Sequence, residues 1–395
     1  MSENDRETIE NFDFTTIKLE RGHTPNDIKD KCFGLCRDYL ADIWLNVTID
    51  DVEVKRLSGG LTNQLYYCAI KRDNNNNNNN EENINDINSK TNVPIEVAIR
   101  LYDSKHFNNH NNNGYERLTD TVVALIVSQN KLGPKLYGIF EQGQIQKYYK
   151  HRQFREPEQN DPNLVCDLAT KLAQIHAMDV PIKKSGNWVF ETFDNSYDEA
   201  NRLFDLKSLY DECNCQTFKA HDLNDEIQWI KDKITELDSP IVFTHVDFRG
   251  SNIMVTDEND LILCDFEYSC YGYRGYDFGT LFAEWGKNFF DFLKAQNFPN
   301  DNTIKPFIDV YIEEMIRLKG KTFTDDKRNT FEHILKEIKL FTLAANMFVI
   351  TLSIKSNESV FVDRPFDKKL QLTGTEIIYK NYHQLKNQFI ESNAF

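Results

Sequence analysis

The sequence lacks the features that mark membrane, disulfide-rich and nucleic-acid-binding proteins. Its least polar later stretch, 341–354, is only 14 residues long and contains Asn346, so we expect no membrane span. The eight cysteines are scattered without paired Cys-x-x-Cys motifs, which favours reduced thiols in a cytoplasmic protein. The 46 basic residues are outnumbered by 62 acidic ones, and the net charge of -16 disfavours nucleic acids and anionic membranes as partners.

The start of the chain also lacks a targeting pattern, while the whole chain has ample core material. MSENDRETIENFDF is acidic and has no apolar segment, so we expect neither a secretory signal nor a transit peptide. Hydrophobic residues make up 40% of the 395 residues and aromatic ones 12%, which excludes wholesale disorder. A chain of this length indicates two to three domains or one large bilobal unit.

The first part of the chain has the pattern of a small antiparallel sheet. The predicted order is strands 52–57, 65–70 and 95–102, helix 118–132, and strands 135–140 and 144–149. A glycine-rich turn, Ser58 to Asn63, joins the first two strands. Two Asn-rich stretches, near 73–93 and 107–114, bury too little apolar surface to be ordered, so we predict disordered insertions there.

Beyond about residue 150 the pattern becomes helical. The predicted helices are 164–178, 223–236, 302–318 and 328–352, and one β-rich stretch, 241–267, lies between them. We therefore predict an α+β chain, with a small β-rich lobe over 1–147 and a larger, mostly helical lobe over 148–395.

A cluster of polar residues in the β-rich stretch carries the strongest chemical signal. Asp247 and Asn252 are five residues apart, the interval between the Asp and Asn of a kinase catalytic loop. A carboxylate can orient a hydroxyl and take its proton, and a neutral amide oxygen can ligate Mg²⁺. Asp265 ends the apolar strand LILCDF, so a hairpin would bring it beside Asn252 as a second metal ligand.

Each of these residues also has an ordinary structural interpretation. An Asp in a loop is most often a cap or turn residue, Asn252 suits a turn, and Asp265 suits an N-cap or an ion pair. Their occurrence together in one strand-loop-strand segment favours the functional interpretation.

The first lobe contains candidates for phosphate binding. Gly59 and Gly60 allow the turn from Ser58 to Asn63 to approach phosphates closely, although most such tips are only turns. Arg100 alternates with apolar residues and is the candidate phosphate cation, with an exposed strand Arg as the alternative. Asp120, early in the following helix, is placed to hold Arg100, or it serves the helix dipole.

Five stretches resemble the choline/ethanolamine kinase family, whose relatives are the aminoglycoside phosphotransferases with a protein-kinase-like fold. They are SGGLTNQLYYC (58–68), AIRLY (98–102), LGPKLYGIFEQG (132–143), THVDFRGSNIM (244–254) and CDFEYSCYGYRGYDFGTLFAEW (264–285). The Tyr-Arg-Gly at 273–275 resembles choline kinases more than ethanolamine kinases. The resemblance implies a bilobal protein-kinase-like fold with a nucleotide-binding first lobe and a catalytic, substrate-binding second lobe.

The resemblance also implies roles for individual residues. Asp247 would be the catalytic base, and Asn252 and Asp265 the Mg²⁺ ligands. The implied ATP contacts are Ser58, Gly59, Gly60, Leu61, Thr62, Asn63, Gln64, Arg100, Asp120, Gln146, Lys147, Tyr148, Tyr149, Arg152, Arg249 and Asp265. The candidate substrate contacts are Asp247, Glu267, Tyr268, Glu284 and Trp285. Instead of contacting the substrate, Trp285 could pack in the core, and Glu284 could be a solvated residue on a helix.

The chain departs from the family pattern at three places. Val246 replaces the Asn that usually precedes the catalytic Asp, and Asp120 replaces a Glu. The segment 341–355 lacks the two tryptophans that line the ammonium pocket, and Val349 and Leu352 correspond to them. Each aromatic face contributes about 0.5 to 2 kcal/mol to binding a quaternary ammonium, so this loss bears on substrate choice.

On this resemblance we expect an ATP- and Mg²⁺-dependent kinase that converts choline to phosphocholine, the first step of phosphatidylcholine synthesis. An ethanolamine kinase, and a catalytically inactive binding protein on the same fold, remain alternatives. A protein kinase is disfavoured because no G-x-G-x-x-G and no Ala-Pro-Glu after Asp265 are present. The resemblance further suggests a homodimer.

Overall fold

A computed structural model describes residues 22–57, 63–71, 93–102, 113–185, 188–287, 291, 293–294, 297–357 and 366–395. The described residues form two compact units that divide between Lys150 and His151. We call residues 22–150 the N-terminal unit and the described residues from 151 onward the C-terminal unit. The sequence places this division between 147 and 148. The predicted insertions near 73–93 and 107–114 lie almost entirely outside the described residues.

The N-terminal unit is a five-stranded antiparallel sheet with two helices. Its elements are α1 (Ile28–Leu40), β1 (Val52–Leu57), β2 (Gln64–Ile70), β3 (Glu96–Leu101), α2 (Asn113–Gln129), β4 (Leu136–Phe140) and β5 (Gly143–Lys147), with strand order β1-β2-β3-β5-β4. The apolar side chains of α1, among them Cys32, Phe33 and Cys36, pack with buried residues of the sheet such as Tyr66 and Ile99. The core of this unit therefore lies between α1 and one face of the sheet.

The C-terminal unit is mostly helical. Its helices are α3 (Glu156–Gln159), α4 (Pro162–Ala177), α5 (Trp188–Leu203), α6 (Leu206–Glu212), α7 (Gln216–Ala220), α8 (Leu223–Leu237), α9 (Arg274–Ala283), α10 (Asp301–Lys319), α11 (Phe331–Lys355) and α12 (Lys368–Glu391). Short strands form two small sheets, β6 (His151–Gln153) with β8 (Ile253–Thr256) and β9 (Leu261–Leu263), and β7 (Ile241–Thr244) with β10 (Cys270–Tyr273). Polar N-caps, such as Asp161 and Asp222, begin several helices by accepting backbone N–H groups.

The long apolar helix α11 lies at the centre of this unit, against α9. A Cβ atom at Gly275 would lie 2.2 Å from Phe341 Cδ2, and one at Gly279 would lie 2.2 Å from the Phe341 carbonyl oxygen. Only glycine permits this close approach of the two helices. The buried Arg274 and Glu337 form a bidentate ion pair between the same helices, with both N···O distances at 3.0 Å.

The length and apolar composition of α11 would allow it to cross a membrane, but most of its apolar window is buried inside the unit. This helix instead forms the core around which α5, α8, α9 and α12 pack.

The structure confirms the strands and helices that the sequence predicts, with ends that differ by a few residues. The sequence pattern did not reveal the helices α1, α3, α5, α6, α7, α9 and α12 or the strands β6 and β10. The helices α1 and α12 carry many polar residues, which dilutes their apolar stripes.

Candidate active site

The candidate catalytic loop connects β7 to β8 and is held by a side-chain amide. Asn252 donates through Nδ2 to the carboxylate oxygen Oδ2 of Asp247 at 2.7 Å and to the carbonyl oxygen of Asp247 at 3.0 Å. Both residues therefore lie together, as the five-residue interval predicts. The Asp247 side chain is partly exposed, while Asn252 is buried, so the carboxylate is presented outward on a fixed support.

Asp277 of α9 anchors the same loop from the inside. Its fully buried carboxylate accepts the backbone N–H groups of His245 and Val246, each at 2.7 Å. His176 Nε2 lies 3.1 Å from the same carboxylate and His176 Nδ1 lies 2.9 Å from the Tyr311 hydroxyl. Burial lowers the pKa of His176, so the ring is neutral and donates to Asp277. The residues before Asp247 are thus positioned by a buried polar network.

Val246 adopts a backbone conformation that β-branched residues rarely occupy. Its φ is 74°, in the left-handed region, and its side chain is buried among apolar residues. The left-handed region costs an ordinary L-residue about 1 to 2 kcal/mol, whereas Asn visits it readily. The departure from the family pattern at this position therefore places strain directly before Asp247.

The β8–β9 hairpin brings Asp265 toward Asn252. Ile253 pairs with Leu263, and the backbone N–H of Cys264 donates to the carbonyl of Asn252 at 2.9 Å. Asn252 Nδ2 faces Asp247, so its Oδ1 faces away from that carboxylate. This Oδ1 accepts no hydrogen bond from the residues that the structure describes. An amide oxygen and a nearby carboxylate are ligands that Mg²⁺ prefers, so this donor set fits the ion.

Charged side chains of alternating sign lead up to Asp247. Arg249 Nε lies 2.9 Å from Asp247 Oδ1, and Arg249 Nη1 lies 3.5 Å from Glu284 Oε1. Arg155 Nη1 is 3.9 Å from the other oxygen of Glu284. Burial would lower the pKa of Arg249, but the carboxylates of Asp247, Glu284 and Asp265 raise it above its ordinary value. Arg249 therefore stays charged and restrains the Asp247 carboxylate.

An aromatic cluster lies beside the catalytic loop. The ring centroids of Trp188 and Tyr276 are 5.5 Å apart, and that of Phe348 lies 5.4 Å from Trp188 and 6.2 Å from Tyr276. Burial, together with the charge of Asp247, raises the pKa of Tyr276 well above its ordinary value. Trp188, Tyr276 and Val246 also line a cavity of about 10 Å³. We call Trp188, Tyr276 and Phe348 the aromatic trio.

The other predicted substrate residues lie in different surroundings. Trp285 is buried, stacks on Phe282 with centroids 4.9 Å apart and meets Phe154 edge-on at 6.3 Å. Glu284 faces two guanidinium groups, as described above. Glu267 is buried within the short helical turn that follows Asp265, and Tyr268 packs against the core of the C-terminal unit. Val349 is 45% exposed.

The predicted phosphate contacts belong to the N-terminal unit. Ser58, Gly59, Gly60, Leu61 and Thr62 lie outside the described residues. Asn63 is buried, and Gln64 accepts the Tyr66 hydroxyl at 2.6 Å. Arg100 lies on β3, opposite Leu65 on one side and Gln144 on the other. Asp120 is buried on α2.

The predicted adenine-side residues end one unit and begin the next. Gln146 and Lys147 end β5, and Tyr148 meets Tyr67 edge-on with centroids 4.6 Å apart. Lys147 lies over the ring of Tyr149 at 4.9 Å. In the C-terminal unit, Arg152 Nε donates to Glu158 Oε1 at 2.7 Å. Its guanidinium is therefore held by a carboxylate of its own unit.

Sequence reasoning missed Asp277 and the aromatic trio. Asp277 stands in the quoted segment Tyr-Arg-Gly-Tyr-Asp, but nothing in one sequence shows that its carboxylate turns back to the catalytic loop. Trp188, Tyr276 and Phe348 come from three separate helices. Only their packing brings them together.

The chain is similar to known proteins over most of its length. The family model described as choline/ethanolamine kinase matches residues 54–388. A human protein described as choline/ethanolamine kinase is 29% identical over 385 residues, which cover 91% of this chain and 91% of that protein.

Two solved structures share the fold over nearly the whole chain. The choline kinase from Cryptosporidium parvum has a TM-score of 0.64 at 18% identity and covers 93% of this chain and 97% of that one. The Plasmodium vivax ethanolamine kinase has a TM-score of 0.63 at 19% identity, with 97% and 95% covered. At such low identity these likenesses address the fold, and they confirm the predicted α+β, protein-kinase-like class.

Proposed function

The chain belongs to the choline/ethanolamine kinase family, and we propose that choline is its preferred substrate. It is a phosphotransferase that uses ATP to phosphorylate the hydroxyl of choline or ethanolamine. The preference between these two amino alcohols, the metal ion and the residue roles below form the proposal.

The hydrogen bonds from Asn252 Nδ2 to Asp247 are the main support for Asp247 as the catalytic base of a kinase. They fix the carboxylate that a hydroxyl acceptor needs, and they turn the amide oxygen of Asn252 away from Asp247. A residue that served only as a turn former would not require this orientation. The observation supports Asp247 as catalytic base and weighs against the inactive binding protein.

Asp247 acts on the substrate hydroxyl. With Oδ2 held by Asn252 and Oδ1 paired with Arg249, the carboxylate keeps one orientation while the hydroxyl donates to it. The proton moves to Asp247 as the hydroxyl oxygen attacks the terminal phosphoryl group of ATP, and ADP leaves as its bond to that phosphorus breaks. Phosphoryl transfer depends mainly on such positioning and on electrostatic stabilisation, so a restrained carboxylate suffices.

Asn252 Oδ1 and Asp265 would hold Mg²⁺, which would supply positive charge to the phosphates when bound. Ser58 to Gln64, Arg100 and Asp120 would contact the phosphates, and Gln146 to Tyr149 the adenine. The family resemblance also implies nucleotide contacts for Arg249 and Arg152. The likeness to the family supports these roles, and it also supports a cytoplasmic homodimer.

The aromatic trio supports a cationic substrate head. Aromatic faces attract quaternary ammonium groups. Trp188 and Tyr276 line a cavity with Val246 of the catalytic loop, and the charge of Asp247 acts on Tyr276. The trio would compensate for the tryptophans that are absent at Val349 and Leu352. Choline places its hydroxyl two carbons from its ammonium, so one molecule can reach both features.

Ethanolamine is the second candidate, and the size of the cavity favours it. The volume of about 10 Å³ beside Trp188 and Tyr276 holds about one water molecule. A primary ammonium needs less room than a trimethylammonium.

The test is coupled ATP turnover with Mg²⁺ across ethanolamine, its two N-methylated intermediates and choline, with Asp247→Ala as the blank. We expect kcat/KM to rise with methylation. A preference for ethanolamine would assign that substrate instead. Equal turnover by wild type and Asp247→Ala, both above an enzyme-free reaction, would refute the assignment of the base. No turnover by the wild type above the enzyme-free reaction would favour a binding protein.

Trp188→Leu tests the trio directly. One aromatic face contributes about 0.5 to 2 kcal/mol, so KM for choline should rise about 2- to 30-fold, with a smaller rise for ethanolamine. Trp229→Leu is the matched control, because Trp229 packs near Phe395 rather than near Asp247. Equal effects of the two substitutions on KM would exclude Trp188 from the pocket.

A further inference from the structure

A second cluster of ligand-type side chains lies outside the catalytic loop. His221 follows α7, Glu226 is in the first turn of α8, and His383 is on α12. One ligand atom from each residue lies within 4.8 Å of the other two. The imidazole rings of His221 and His383 stack with centroids 3.8 Å apart. Three elements thus bring two imidazoles and a carboxylate close together.

His383 supplies an observation that packing alone does not explain. The residue is only 8% exposed, and its Nε2 is buried with no hydrogen-bond partner among the described residues. A buried polar atom without a partner costs about 1 to 3 kcal/mol.

Glu226 is held in place by two donors on α12. Its Oε2 accepts Lys386 Nζ at 2.6 Å and the Tyr382 hydroxyl at 3.0 Å. Its Oε1 has no hydrogen-bond partner in the described part of the chain. The positive charge of Lys386 repels a metal ion bound nearby, so it lowers the affinity for that ion, but it does not occupy Oε1.

The donor set selects the class of ion. Two imidazoles and one carboxylate with an open fourth position are typical of zinc, whereas Mg²⁺ and Ca²⁺ prefer oxygen ligands. We propose that His221, Glu226 and His383 form a Zn²⁺ site that is separate from the active centre. The ion would join the C-terminal helix α12 to the α7–α8 segment and so stabilise the folded C-terminal unit.

The experiment titrates Zn²⁺ into the full-length, chelator-stripped protein, with excess Mg²⁺ present to occupy oxygen-rich sites. Calorimetry should show one more Zn²⁺ equivalent in the wild type than in His221→Gln or His383→Gln. Loss of an outer partner of a metal typically costs about 10- to 100-fold in affinity, so loss of a ligand should cost at least that. His221 is exposed, so its variant should fold even if the His383 variant does not.

Thermal melting gives a readout that is independent of turnover. Zn²⁺ should raise Tm of the wild type and of the control His23→Gln, an exposed histidine of the other unit, but not that of the site variants. Glu226→Gln should weaken Zn²⁺ binding, and Lys386→Met should tighten it because the opposing charge is gone. Equal Zn²⁺ stoichiometry and affinity in the wild type, His221→Gln and His383→Gln would overturn the proposal. Absence of Zn²⁺ binding by the wild type would overturn it too.

Discussion

The carboxylate of Asp277 accepts the backbone N–H of Val246 over 2.7 Å, while Val246 holds a left-handed φ of 74°. The contact connects α9 to the residue that immediately precedes the proposed base, Asp247. A charged hydrogen bond of this kind contributes about 1.5 to 3 kcal/mol, which is enough to offset the cost of that backbone conformation. The catalytic loop is therefore held in a strained form by a buried side chain.

Asp277→Asn should separate positioning from binding. An amide replaces one of the two oxygens that face backbone N–H groups, so we expect kcat to fall about 10- to 100-fold, as a misplacement of about 1 Å can do. KM for ATP should change little. Urea unfolding should show a loss of about 3 kcal/mol. Asp194→Asn, on the surface beside Lys231, is the control, and an unaltered kcat in Asp277→Asn would contradict the positioning role.

Val246→Gly should cost less stability than a buried valine normally does. Glycine loses the packing of the side chain but adopts the left-handed conformation without strain. Val255 is buried in β8 with ordinary strand geometry, so Val255→Gly is the matched comparison. We expect the free energy of unfolding to fall at least about 1 kcal/mol less for Val246→Gly. Equal losses in chemical denaturation would show that residue 246 is unstrained.

Glu284→Gln should lower kcat rather than raise KM for the amino alcohol. Glu284 already faces Arg155 and Arg249, so its carboxylate restrains Arg249 and, through it, Asp247. Steady-state kinetics with choline varied at saturating ATP separates the two effects. A rise in KM with unchanged kcat would instead restore Glu284 as a direct ammonium ligand.

Glu337→Gln should destabilise the protein and flatten its acid unfolding. Burial would raise the pKa of Glu337, but Arg274 and His333 outweigh it and hold the pKa below its ordinary value of 4.5. A lowered folded pKa means that the stabilisation is complete above pH 4.5 and is lost as the pH falls through the folded value.

At neutral pH the substitution leaves the buried Arg274 charge unpaired, at a cost of about 3 to 5 kcal/mol. Unfolding free energies from pH 3 to pH 7 check both effects, with the exposed Glu313→Gln as control. A dependence on pH as steep as that of the wild type would mean that the pair does not titrate in this range.

Much of the fold and part of the site follow from local sequence pattern. The strands β1 to β5 are short runs with apolar residues, separated by turn residues or a helix, and the interval from Asp247 to Asn252 is set by a single loop. Local pattern therefore carried these predictions. The hydrogen bonds between Asp247 and Asn252 lie within that loop, so no other part of the fold had to be known.

Other features depend on distant elements and were not predictable. Asp277 acts across 31 residues, from α9 to the N–H of Val246. The His221–His383 stack joins residues that are far apart in the chain. For Trp285, the sequence predicts a substrate contact from its position in the choline-kinase-like segment. In the structure its ring packs between Phe154 and Phe282. Its role in substrate binding stays a prediction.

The close packing of α9 on α11 involves a different part of α11 from the positions that correspond to the tryptophans of the family pattern. Glu337 and Phe341, which contact Arg274, Gly275 and Gly279, occupy the first half of α11. Val349 and Leu352 lie roughly 12 to 16 Å beyond Phe341 along the helix axis. Substitutions at these two positions therefore leave the contacts that join α11 to α9, and with them the helix that carries Asp277, in place.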